Sequence, residues 1–96
     1  MRKTAYKTDV VHLEVELFEE NVFLHFTTEC WNKTVYKECL VLLNNLLEYL
    51  KSVGIHDVFA VVPLTDIKLY KFTLLFEFDV LVFCDEREIY LMYQEI

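Results

Sequence analysis

The sequence predicts an α/β (α+β) domain, a mixed β-sheet with two main helices in the order β-β-α-β-α-β-β. Three observations carry that expectation. "VVHLEVELF" (Val10–Phe18) alternates apolar and polar residues with the period of a strand. Thr34–Val53 repeats its apolar residues at the three- and four-residue spacing of a helix. "DVFAVVP" (Asp57–Pro63) is a short, continuously apolar run of the kind that lies deep in a sheet. A strand, a helix and a second strand in succession require a right-handed parallel crossover.

The elements follow in order. Ninety-six residues suit one domain; residues 1–9 read as an N-terminal arm and 10–96 as the domain. Arg2, Lys3 and Lys7 make that arm basic and suggest a solvated, frayed end. In Val10–Phe18, Val11, Leu13, Val15 and Leu17 share one face, while His12, Glu14 and Glu16 make the other polar, as though nothing covers it. "EEN" (Glu19–Asn21) forms a turn, and "VFLHFT" (Val22–Thr27) returns as the second arm of a hairpin. A turn centred on Glu19 and Glu20 sets His25 opposite Glu14 as a cross-strand polar pair. Along the long helix, Tyr36, Cys39, Leu40, Leu43, Leu47 and Leu50 form the core stripe, and Gly54 falls where a left-handed C-cap is wanted. After Pro63, Thr65 or Asp66 caps a second helix, Ile67–Phe76. Phe78–Cys84 and Glu88–Ile96 then make a closing hairpin across the charged turn "DER", giving five strands in all.

Composition narrows the function classes. With 55% hydrophobic residues, including eight Phe and six Tyr, the chain is equipped for a dense core and is unlike a disordered segment. A net charge of −7, with nine Lys+Arg against sixteen Asp+Glu, argues against nucleic-acid binding. Cys30, Cys39 and Cys84 lack paired spacing and read as reduced thiols. With no apolar run of membrane-spanning length and no signal-like start, a cytoplasmic location is expected. His12, His25 and His56 lie on separate elements without metal-ligand spacing, so no metal site is expected.

Two stretches carry a resemblance to a known family. "TECWNKTVYKECLVLL" begins a helix after a strand, where a protein commonly holds a phosphate. "KFTLLFEFDVL" (Lys71–Leu81) leads from the second helix into a strand. Together with the element order, they resemble the GCN5-related N-acetyltransferase family from Val10 to the C-terminus. Against that family's Q/R-x-x-G-x-G/A acetyl-CoA loop, Trp31 falls at the Q/R position, Thr34 at the first glycine and Tyr36 at the second glycine or alanine. Against its K-F-Y-x-x-x-G-F segment, Phe72 and Phe78 match, Thr73 replaces the general-acid tyrosine and Glu77 replaces the glycine.

The resemblance implies that Asn32, Lys33, Thr34, Val35 and Tyr36 form a degenerate coenzyme A loop. Glycines would let the backbone approach the pyrophosphate, whereas the Tyr36 ring projects into that space. Lys33 remains suited to an anion. Glu29 stands nearest the place of a base and Tyr70 one turn before the usual acid, and neither is at the motif position. The family also begins with a strand and two helices that form much of its acceptor site, whereas nine residues precede Val10 here. An edge strand left by that missing first strand would be open to pairing with another chain.

The reading is therefore a non-catalytic scaffold that binds protein through its surface or self-associates, with no cofactor, in the manner of small bacteriophage accessory or virion proteins. Interaction is assigned to Trp31, His12, Glu14 and Glu16, with Trp31 either a lid on the core or an interface anchor. The alternative is an active, acetyl-CoA-dependent N-acetyltransferase with an atypical loop.

Overall fold

The structure, a computed structural model, describes residues 2–96; Met1, the first residue of the expected arm, lies outside them. The strands are β1 (Arg2–Lys7), β2 (Val11–Phe18), β3 (Asn21–Thr28), β4 (Asp57–Pro63), β5 (Asp79–Cys84) and β6 (Ile89–Glu95). The helices are α1 (Lys33–Ser52), between β3 and β4, and α2 (Ile67–Leu75), between β4 and β5. The strands form one mixed sheet in the order β1-β2-β3-β4-β6-β5. The α/β class and the expected elements are present, and the sheet has six strands rather than five.

The additional strand is the arm. β1 pairs antiparallel with β2 from Arg2↔Glu16 to Lys7↔His12, with a bulge between Thr4 and Tyr6. β2 is therefore not an edge. Thr8 turns the chain: its hydroxyl accepts from the N–H groups of Val10 and Val11, at 3.2 and 3.0 Å. Tyr6 anchors the strand from the helix side by donating to the Glu38 carboxylate at 2.8 Å, which raises the pKa of its phenol. The arm has too few apolar residues to announce a strand; its partner supplies the ladder.

The β2–β3 hairpin turns on two residues, Glu19 and Glu20, with φ of 49° and 70°, in the sense that suits the twist of the strands. Glu14 does face His25 in the register. The side chains pair diagonally instead: His25 Nε2 lies 2.7 Å from Glu16, while Glu14 takes Arg2 at 3.2 Å. β3 and β4 are parallel neighbours, as the crossover through α1 requires.

Both helices pack on the same side of the sheet. Val11 and Leu13 of β2, Val22, Leu24 and Phe26 of β3, and Val58, Ala60 and Val62 of β4 meet the buried faces of α1 and α2 there. Val35, Cys39, Leu43, Leu47 and Leu50 are the buried stripe of α1, with Tyr36 and Leu40 flanking it. Burial pushes the Cys39 thiol up to about 12, so it is an inert core residue. Asn32 caps α1 through Val35 N–H, and Asp66, rather than Thr65, caps α2 through Leu69 N–H. Gly54 has φ +92°, and a Cβ there would meet nothing, so its role is conformational.

The opposite face of the sheet is bare. The apolar run of β4 lies deep in the sheet on one side only: Val58, Ala60 and Val62 are buried, whereas Phe59 and Val61 are half-buried on the uncovered face. Two helices on one side leave nothing for the other.

Candidate functional site

Parallel strands concentrate binding at their C-terminal ends, where loop and helix N-terminus meet. The β3–β4 ladder is confined to Val22–Leu24 against Val58–Ala60, although β3 runs on to Thr28 and β4 to Pro63. Past Leu24 and Ala60 the two strands are no longer paired with each other, and side chains from above fill the fork. Phe72 of α2 lies at its centre, with ring centroids 5.8 Å from Phe26, 5.2 Å from Trp31 and 5.6 Å from Tyr36. What remains inside is a void of about 20 Å³ among Leu24, Phe26, Leu43, Ala60, Leu69 and Phe72. Its volume would admit one water, but the lining offers too few polar partners to hold it.

Trp31 is thus a half-buried lid stacked on Phe26 and Phe72. Outside it, Trp31, Asn32, Lys33 and Tyr36 join Lys68, Lys71, Phe72 and Leu75 of α2 around a pocket of about 360 Å³. Three lysines, three aromatic side chains and a helix N-terminus line it in a chain of net charge −7. Asn32 occupies the N–H of Val35 with its side chain and that of Tyr36 with its carbonyl, which leaves the amides of Lys33 and Thr34 as open donors. Val35 is buried in the core and Thr34 is exposed. Of the loop residues named from sequence, Asn32, Lys33 and Tyr36 line this pocket and Thr34 and Val35 do not; Lys68 and Lys71 were missed. Their signal was a pair of lysines three residues apart on α2, which share a helix face.

The acid and base candidates are not brought together. Glu29 is exposed and lines a separate groove beside Thr8, His12 and Thr27. Tyr70 points the other way along the sheet, its ring 4.6 Å from that of Tyr90. Thr73 is buried; its single hydroxyl proton faces the Tyr70 carbonyl at 2.8 Å, with the Met92 sulfur 3.0 Å away. Glu77 has φ 71°, the left-handed conformation natural to glycine, at the place where the motif carries one.

The bare sheet face divides in two. On its β1–β2 side, Arg2 pairs with Glu14, Thr4 lies 3.1 Å from His12, and His25 pairs with Glu16. His12 and Glu14 are therefore tied to β1, and Glu16 to β3 through His25. Towards its middle the face turns aromatic. Phe23 stacks on Phe59 at 5.2 Å and Phe59 meets Tyr93 at 5.4 Å, a row across β3, β4 and β6. The Tyr93 hydroxyl closes the row by donating to Asp57, which pushes its pKa up to about 12.

Among the described residues, no group of three or more His, Cys, Asp or Glu side chains is arranged to hold a metal. No helix among them is long and apolar enough to cross a membrane. Comparison of the chain with protein-family models, curated proteins and solved structures gives no match.

Proposed function

We propose that the chain is a non-catalytic, acetyltransferase-like scaffold that works by binding protein. The observation that carries this reading is the uncovered sheet face with its aromatic row Phe23–Phe59–Tyr93. Aromatic side chains held rigid by a sheet give contact area at small entropic cost, and they are favoured at binding hot spots. The site chemistry supports the same reading. The fork between β3 and β4 is closed by Phe26, Phe72 and Trp31, and Glu29 and Tyr70 face different parts of the surface. Acyl transfer needs acid and base aimed at one reacting centre.

A second reading, an acetyl-CoA-dependent N-acetyltransferase, is favoured by the cluster of Lys33, Lys68 and Lys71 around the Trp31–Tyr36 pocket. Cations beside aromatic walls suit a ligand that is part phosphate and part ring. Calorimetric titration with acetyl-CoA separates the two. The scaffold predicts no heat at millimolar ligand; micromolar affinity abolished by Lys33→Glu would favour the enzyme reading instead.

A further inference from the structure

We infer that two copies of this chain join through β5, edge to edge and antiparallel, so that their sheets continue into one another. This extends the protein-binding reading, but it holds whether or not the lysine pocket takes a cofactor. Mass measurement and calorimetry can therefore fail independently.

The sheet has two edges, β1 and β5; each carries one bulge, between Thr4 and Tyr6 in β1 and between Val80 and Val82 in β5, and they differ in charge. β1 carries Arg2, Lys3 and Lys7, and cationic side chains on an edge discourage pairing with other chains. β5 reads DVLVFC: between Asp79 and Cys84 it has no charge, no proline and no glycine. Its side chains are left in water, with Val80, Leu81, Val82 and Phe83 each 40–53% exposed. The strip continues onto α2. Phe83 touches Tyr90 and Tyr90 touches Tyr70, and Ile67 and Leu74, 62% and 41% exposed, share the Tyr70 side of that helix. Half of the large apolar side chains exposed among the described residues lie on β5 and this side of α2, with Val80 and Phe83 on the helix side of the strand and Val82 on the bare side. Their summed exposed surface, spread over both faces of the edge strand, is on the order of 500 Å². With the backbone of a paired strand added, it approaches the roughly 800 Å² per partner of a stable interface.

The occupant that fits is a second copy, because the strip complements itself. A two-fold axis between Leu81 and Val82 sets Val80 of one copy against Phe83 of the other. Both lie on the helix side, opposite Met92 and Tyr90 of β6. The same axis sets Asp79 against Cys84, both on the bare side, so no acid opposes an acid within the strand. A shift of one residue would oppose side chains of different faces and bring Asp79 against Asp85. The pairing is isologous and closes at two chains.

Sedimentation equilibrium of the full chain tests the inference. The wild type should show the mass of two chains. Val82→Lys and Phe83→Lys should each return it to one, with unchanged circular dichroism. Val41→Lys, on the exposed side of α1, should leave the dimer intact. Hydrogen exchange of the wild type gives an independent readout: the amides of β5 should gain protection with concentration while those of β1 do not. A wild type that stays monomeric would overturn the inference and leave the strip to a different chain or to solvent. A dimer that survives both β5 substitutions, or an assembly larger than two chains, would overturn it as well.

Discussion

The Trp31 ring lies 5.2 Å from that of Phe72, tilted by 39°, and joins the loop before α1 to the middle of α2. Phe72 also touches Phe26, Tyr36 and Phe76, so one side chain ties β3, both helices and the loop together. Phe72→Ala should therefore cost about 3–5 kcal/mol, at the large end for a core truncation. Chemical denaturation measures it. A loss below about 1 kcal/mol would mean that the ring cluster collapses onto the space without penalty.

In the proposed acetyltransferase-like reading, Tyr36 and Thr34 take the places of small loop residues, and Tyr36 lines the lysine pocket. Tyr36→Gly combined with Thr34→Gly should raise coenzyme A affinity, at a stability cost of about 1 kcal/mol at position 34 and more at 36, where the ring packs on Phe72. Calorimetry of the double variant checks the first effect. Unchanged binding would show that these side chains are not what obstructs the site.

Left-handed backbone separates two substitutions of opposite sign. Glu77→Gly should stabilise the chain by about 0.5–1 kcal/mol, because Glu77 holds φ 71° at the end of α2. Gly54→Ala should destabilise it by about 1 kcal/mol, since open space around the position leaves only the strain of φ +92°. Thermal melts of the two variants should move in opposite directions.

The Tyr93 hydroxyl donates to the Asp57 carboxylate, and that bond raises its pKa from 10.0 to about 12. The folded state thus holds this proton more tightly than the unfolded chain does. The associated stability is present in full below pH 10.0 and is lost as pH rises through about 12. In a difference spectrum of wild type minus Tyr93→Phe, the tyrosinate band of Tyr93 should appear about two pH units later than that of a free phenol. Ionisation at the ordinary value would mean that the bond to Asp57 does not persist in solution.

Most of the architecture was legible because its signals are local. The alternation of Val11–Leu17, the stripe from Cys39 to Leu50 and the punctuation by Gly54 and Pro63 each belong to one segment. What escaped depends on partners distant in sequence. β1 has little apolar pattern of its own and is a strand because β2 receives it and Glu38 holds Tyr6. The one-sided burial of β4 follows from where both helices land, which its own apolar run cannot express. At the candidate site the loop was recognisable as strand, cap and helix. The second half of the pocket, Lys68 and Lys71, comes from another helix and could be assembled only in space. The polar pairing on the hairpin was read one step short, since register names the facing residue while side-chain length selects the diagonal one.

The chain has a single glycine, and the described non-glycine residues with positive φ are all glutamates: Glu19, Glu20, Glu77 and Glu88. Each corner therefore combines a reluctant backbone with a full negative charge held out in solvent. Glu77 lies just before the apolar β5 strand and Glu88 ends the turn that follows it, positions where exposed acids disfavour non-specific association. Exchanging these corners for glycine should give a molecule that resists heat better and stays dispersed less well. In this chain, solubility and conformational ease are set against each other at the same residues.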